Sequence, residues 1–433
     1  MGQDAYYIAG TFARYWFLAV SFAAVLGASN GCDASSPGMP ASAPRPDRFL
    51  GELPVPGGSE WLHTCGKKLV AVSHEDEVYV WKWADLRSPP AKGKSGGGLA
   101  TAFLSPDLIV TTRSGLEIEG DAPPPILVIG MDSGSVLQRW AIGRAWYCVG
   151  MRSARNGRFV ALHAWSQTPP RRIRLGLLEA KSEQPAWVAT MTESRGTLRV
   201  SHVAPSDDGR YIAAAGIHDG AWIAVADVAA KKLLWGKRQD GAVKFYDVAF
   251  SPDAKTVYTG GTSGGLFAYD VATGALTKRY AMGGGLDEQY GYRVTRVAAS
   301  PDGHLVTAGT GSGGAVHVWR AGTGTRVLSF GTRQATIMGL AFSPDSTRLA
   351  VTGVANRTVE IWDVTAGQTA PRLQPSGRED KVARLSGGDH EFRGTQYRFP
   401  LPRPGERALD QRPVFGTPAK PRKGERKWYC VPR

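Results

Sequence analysis

Six turn signals of one kind recur along this 433-residue chain at intervals of 43 to 53 residues. They begin at Ser105, Ser153, Ser206, Ser251, Ser300 and Ser343. Four read Ser-Pro-Asp, at Ser105-Pro106-Asp107, Ser251-Pro252-Asp253, Ser300-Pro301-Asp302 and Ser343-Pro344-Asp345. Two are degenerate, Ser206-Asp207-Asp208-Gly209 and Ser153-Ala154-Arg155-Asn156-Gly157. The proline fixes φ for a turn, and the serine and aspartate side chains bond nearby amides. A fixed period of this length is the mark of a repeat architecture.

Each unit reads as four short strands, a to d. In the last clear unit, Ile337 to Phe342 is apolar, Ser343-Pro344-Asp345 turns the chain, and Arg348 to Thr352 is the second strand. Thr358 to Val364 is the third and alternates with period two. A weak fourth strand is expected near Arg372-Leu373. The same order recurs upstream from Val294, Phe245 and Val200, with more divergent segments anchored at Ser105 and Ser153. One further unit precedes these, running from Trp61 through Cys65-Gly66 to Trp81. A lone four-stranded sheet cannot bury both faces, whereas radial stacking buries each blade against the next. The pattern therefore predicts an all-β fold, a β-propeller of seven four-stranded blades. Such a ring usually closes with a strand from one terminus, and Arg48 to Leu53 competes with Arg372-Leu373 for that place.

Trp362-Asp363 ends a third strand, and Tyr269-Asp270, Trp319-Arg320 and Trp81-Lys82 occupy the same place with changes. On these residues the units resemble the WD-repeat family of propellers over roughly residues 50–375. The resemblance implies a platform for protein interactions. The family's Gly-His pair before the first strand is absent, as is its aspartate before the third. The latter turns read Ser263-Gly264-Gly265, Ser312-Gly313-Gly314 and Ala355-Asn356-Arg357.

The ends of the chain follow other rules. Tyr15 to Ala28 is an unbroken apolar run after Arg14, the length of a signal-peptide core and short for a membrane span. Ser29-Asn30-Gly31-Cys32 follows and resembles a bacterial lipobox, which implies lipidation at Cys32. Cleavage near Ala28 or an uncleaved anchor are the alternatives. Asp33 to Pro46 is a Ser/Pro/Ala tether without periodicity. The organisation expected is residues 1–31 as a lipoprotein-like signal, 32–46 as tether, 47–375 as propeller and 376–433 as tail. The location expected is the bacterial cell envelope, membrane-anchored, or else secreted or periplasmic.

From Ser376 to Arg433 the repeat dissolves into a Pro-rich segment with 14 Lys/Arg against 7 acids. That excess of seven is half the chain's net charge of +14. Removal of residues 1–31 takes away one acid, Asp4, and one base, Arg14, so processing preserves the excess. A basic tail ending in Lys427-Trp428-Tyr429 suits an anionic envelope surface. Nucleic acid becomes a partner only if the chain is not exported.

No nucleophile elbow, HExxH helix or Cys/His metal spacing is present, and Gly93-Lys94-Ser95 lacks the glycine that a phosphate loop needs five residues earlier. No cofactor and no metal are expected. The polar candidates lie in loops at one end of the ring: His74, Glu75, Asp76 and Glu77 in the first unit, His218 and Asp219 in the fourth. The long connection from Gly283 adds Asp287, Glu288, Tyr290, Tyr292 and Arg293. Loops on a rigid scaffold carry binding function. The reading is a non-enzymatic interaction scaffold with unknown protein partners. Its rival is a propeller enzyme, a lactonase-like hydrolase or quinone-dependent oxidoreductase, drawing on Asp287, Glu288, His218 and Asp219.

Overall fold

The structure is a computed structural model and describes residues 48–365, apart from short internal stretches of which the longest are 114–124 and 283–292. Cys32, the tether, Arg372-Leu373 and the basic tail lie outside the described residues, as do His74, Asp287, Glu288, Tyr290 and Tyr292.

The described chain is all β, and its 28 strands form seven four-stranded antiparallel sheets in a ring. Strand β1 (Phe49–Pro54) comes first and stands apart from its neighbours in sequence. Blade one holds β2 (Ser59–Cys65), β3 (Lys68–Ser73), β4 (Glu77–Lys82) and β5 (Ala91–Lys94). Blade two holds β6 (Gly98–Ser105), β7 (Leu108–Arg113), β8 (Ile126–Gly130) and β9 (Val136–Trp140). Blade three holds β10 (Trp146–Ser153), β11 (Phe159–Ser166), β12 (Arg172–Glu179) and β13 (Ala186–Thr192). Blade four holds β14 (Arg199–Pro205), β15 (Tyr211–Ile217), β16 (Ala221–Asp227) and β17 (Lys232–Gln239). Blade five holds β18 (Phe245–Phe250), β19 (Thr256–Gly261), β20 (Gly265–Asp270) and β21 (Leu276–Ala281). Blade six holds β22 (Val294–Ala299), β23 (Leu305–Thr310), β24 (Ala315–Arg320) and β25 (Arg326–Gly331). Blade seven holds β26 (Thr336–Phe342), β27 (Arg348–Val354) and β28 (Thr358–Asp363), and it takes β1 as its fourth strand.

That last pairing settles how the ring closes. β1 runs antiparallel to β28, with Leu53 opposite Val359 and Phe49 opposite Trp362. The N-terminal strand therefore holds the place that the sequence left open between it and Arg372-Leu373. Phe49 packs edge-on against Trp362, ring centroids 5.3 Å apart, and Phe330 stacks on the same indole at 4.2 Å.

Burial follows the sequence pattern. The second and third strands of each blade are sandwiched and read as apolar runs, as in Ala213 to Ala215 and Trp222 to Ala226. The outermost strands are polar and exposed, as in β17 and β21. Seven core clusters fill the ring, each straddling two neighbouring blades. At the seam Leu53 and Val55 join Leu69 and Tyr79 of blade one with Val359 and Ile361 of blade seven. Each fully buried Leu, Ile or Val contributes roughly 1.5–3 kcal/mol, so the interfaces between blades hold the ring together.

The repeated turn is a closed hydrogen-bond loop. In Ser251-Pro252-Asp253 the serine Oγ donates to Asp253 Oδ1 at 2.6 Å and accepts from the Thr256 N–H at 3.0 Å. Ser206, Ser300 and Ser343 repeat this geometry. In blade three the equivalent residue is Ala154, whose N–H bonds the Phe159 carbonyl at 2.7 Å. The anchor read at Ser153 is therefore one residue early; Asn156 takes the aspartate's place and accepts from the Arg158 N–H.

Candidate functional site

Every innermost strand has a register shift near its start, at Phe245/Asp247 in β18 and Val294/Arg296 in β22, for example. A bulge leaves a residue outside the ladder and its backbone groups available. Two such carbonyls are taken up by side chains from the neighbouring blade. His202 of β14 bonds Tyr246 O through Nδ1 at 2.5 Å, and Arg296 Nε donates to Met338 O at 2.5 Å.

These residues belong to a charged cluster in the central channel. Asp247 of blade five has no exposed surface. Its Oδ1 accepts from Arg152 Nη1 of blade three at 2.5 Å, and its Oδ2 from the Val297 N–H of blade six at 2.9 Å. Arg152 also donates to the carbonyls of Val248 (2.8 Å) and Val297 (3.4 Å). One ion pair thus joins three blades across the hub. Burial alone would push the Asp247 carboxyl up, but Arg152, His202, Arg296 and the Val297 N–H hold it below the usual carboxylate range. His63 and His202 are pushed down to about 3, first by burial and then by the nearby guanidiniums, so both are neutral at pH 7.

A second pair guards one mouth of the channel. Arg155 Nε and Nη2 donate to Asp207 Oδ2 at 2.8 and 2.6 Å, and Nη1 crosses to the Ala299 carbonyl at 3.0 Å. Two pockets lie in the channel, both lined by Leu62, His63, Arg152 and Leu340.

The loop residues expected to bind are arranged by topology. Strands alternate in direction, so the b–c and d–a connections share one end of the ring and the a–b turns share the other. Glu75, Asp76, Glu77, His218, Asp219 and Arg293 all fall at the b–c end. Glu75, Asp76, Asp219 and Arg293 are exposed. Asp76 and Asp219 have φ of 62° and 52°, the left-handed conformation that aspartate tolerates, so each also has a turn to make. His218 is half-buried, with Nδ1 enclosed and no hydrogen-bond partner. His163 lies within β11 and is 3% exposed, and a Cβ at Gly150 would stand 2.2 Å from its ring. No group of three or more His, Cys, Asp or Glu suited to a metal occurs among the described residues. Cys65 and Cys148 are buried and unbonded, and burial pushes their thiols up to about 11 and 12.

The channel cluster was not among the residues read from the sequence. Its trace there is a charge inside an apolar strand, Asp247 in Phe245 to Phe250 and Arg296 in Val294 to Ala299.

The family model described as WD domain, G-beta repeat matches residues 286–320 and 324–363. The chain is a seven-bladed β-propeller with WD repeats over that stretch. Among solved structures it is similar to the β-propeller domain of Cps50 (Swd1) from Myceliophteria thermophila, with 13% identity and a TM-score of 0.55. That match covers 74% of this chain and 100% of the other. No curated protein is significantly similar in sequence. The propeller thus shares its fold with that domain, while its hub chemistry is read from its own residues.

Proposed function

We propose that this propeller is a non-enzymatic docking platform for protein partners, held at the bacterial cell envelope by its N-terminus. WD40 propellers generally mediate protein–protein interactions. The observation that carries the reading is the filled hub. The Arg152–Asp247 and Arg155–Asp207 pairs occupy the channel where a propeller would hold a sizeable substrate. The rims remain, with Glu75, Asp76, Asp219 and Arg293 presented on a rigid ring. The tethering part rests on the apolar run and Cys32 of the sequence.

Two measurements test the two parts. Intact mass and fractionation of the chain with its own N-terminus, beside Cys32→Ala, tests the anchor. Diacylated protein beginning at Cys32 supports it, and an unprocessed soluble chain rejects it. For docking, a partner captured from envelope extract is expected to be lost with Asp76→Lys/Asp219→Lys and retained with Asp107→Lys on the opposite rim. Retention by both variants, or turnover of a lactone or an alcohol substrate by the purified chain, rejects the platform.

A further inference from the structure

The outer half of blade three sets two like charges over one aromatic ring. Arg172 and Arg174 of β12 are two residues apart and so share a face of the sheet. That face turns toward blade two, because Leu178 further along it belongs to one core cluster with Ala102 and Val110. Arg174 Cζ stands 4.0 Å from the Trp146 ring centroid and 5.9 Å from that of Trp187. Arg172 Cζ stands 5.8 Å from the Trp146 centroid.

Neighbouring small residues make this arrangement possible. Ala164, opposite Arg174 on β11, is too short to block its path to Trp146 of β10. Gly176 lies opposite Trp187 of β13, and a Cβ there would come 3.0 Å from the indole. The missing side chain leaves room for the ring beside Arg174.

The two guanidiniums are restrained by the indoles but not neutralised. Among the described residues neither guanidinium has a carboxylate or carbonyl partner. An indole face holds a flat guanidinium and leaves its N–H edge free to donate. Burial first, and the charge of Arg172 second, push the Arg174 guanidinium below its usual value. Cover for Trp146 needs one long side chain, not two repelling charges. On β13, Thr192 and Thr190 stand opposite Arg172 and Arg174, exposed and on the same face. Two rungs result, each an arginine beside a threonine hydroxyl, next to the last strand of the sheet.

The spacing of the rungs selects a ligand. Residues i and i+2 of a strand lie roughly 6.6 Å apart. An extended peptide with acids at alternate positions repeats that distance, so its carboxylates match the rungs one to one. Guanidiniums take carboxylates in two-pronged, charge-assisted pairs. An extended segment also suits the edge of a terminal strand such as β13.

We infer that the outer edge of blade three is a docking strip for an acidic, extended segment of a protein partner, with alternate carboxylates seated on Arg172 and Arg174. The inference rests on the docking-platform reading but uses residues other than the rim acids Asp76 and Asp219.

Fluorescence anisotropy of the full chain with a labelled peptide of alternating glutamate and threonine tests it. A peptide of the same composition with its glutamates in one block is the control. The alternating peptide is expected to bind about tenfold more tightly than the block peptide, the equivalent of one charge-assisted bond. Arg172→Met/Arg174→Met, which keeps long stems over Trp146, is expected to weaken it by at least that factor, and Asp76→Lys/Asp219→Lys to keep it. Absence of peptide binding, or equal binding by the Met variant, overturns the inference and leaves any partner captured through the rim acids unaffected. Equal binding of the block peptide marks a general polyanion surface and overturns it too. Should the Met variant not fold, a photo-crosslinking form of the alternating peptide decides on the natural chain. An adduct within Arg172–Glu179 or Ala186–Thr192 upholds the strip, and an adduct elsewhere rejects it.

Discussion

Glu52 of the closing strand lies directly opposite Glu360 of β28 across the seam, and Arg333 reaches both carboxylates. The Arg333 side chain donates to Glu52 Oε1 at 2.8 Å, while its backbone N–H donates to Glu360 Oε1 at 2.8 Å. Trp362 Nε1 donates to the other oxygen of Glu360 at 3.0 Å. Like charges opposite one another weaken a strand pair. Burial first, and Glu52 as well, push the Glu360 carboxyl above its usual range despite these donors.

Arg333→Ala is therefore expected to loosen the closure. The guanidinium is 55% exposed, so solvent screens it and the loss is small, about 0.5–1 kcal/mol by urea denaturation at pH 7. The sign with pH is fixed by the raised Glu360 value. Its contribution is fully present below the unfolded value of 4.5 and is lost as pH rises through the folded value. A variant loss that is no larger at pH 7 than at pH 4 contradicts this account of the seam.

The buried histidines act in the opposite direction. His63 and His202 are pushed down to about 3, and His163 and His317 to about 4, in each case first by burial. The unfolded chain takes up protons below about 6.5 that the folded ring refuses, so stability falls as pH drops from there toward 4 and 3. Each such histidine steepens the fall by up to about 1.4 kcal/mol per pH unit. Urea midpoints between pH 7 and pH 4 are expected to decline, and His163→Phe to flatten the decline. A flat profile in the natural chain counts against buried neutral imidazoles.

Asp247→Asn strands Arg152 in the hub. Removing one partner of a buried pair costs about 3–5 kcal/mol, whereas replacing both with apolar groups of similar volume is often neutral. Asp247→Leu combined with Arg152→Met is thus expected to be more stable than Asp247→Asn alone. Chemical denaturation of the three proteins measures this, and a double variant worse than the single one shows that the pair itself is the main stabilising contact.

Two glycines separate close packing from open space. A Cβ at Gly261 would lie 1.9 Å from the Lys244 carbonyl oxygen, beside the register shift of β18, while one at Gly331 meets nothing within 4 Å. Gly261→Ala is expected to cost about 1–3 kcal/mol as the backbone shifts. Gly331→Ala is expected to gain about 0.4–1 kcal/mol by restricting the unfolded chain. Melting temperatures that move in the same direction for both variants would falsify the distinction.

The blades were legible because their signals are local. Ser251-Pro252-Asp253 closes its own turn through bonds no more than five residues apart, so the motif announces the structure beside it. Blade three was legible only to within one residue, since Ala154 keeps the backbone bond of the turn without the serine that marks it elsewhere. The hub was not legible for the opposite reason. Asp247 meets Arg152 from 95 residues upstream and Val297 from 50 residues downstream, and no local pattern brings those together. The rim acids Asp76 and Asp219 stood out as polar loop residues, yet a left-handed turn alone accounts for their type.

The position of β1 sets an order of events during synthesis. Phe49 is made early, but its partner Trp362 lies 313 residues later. The first strand of the described residues to be made is thus the last to be paired, and blades one to six can assemble while it waits with an open edge. Closing so long a loop is entropically costly and slow. Until Thr358–Asp363 arrives, that edge is open to other strands, so this ring has an interval in its biogenesis when a chaperone has something definite to cover.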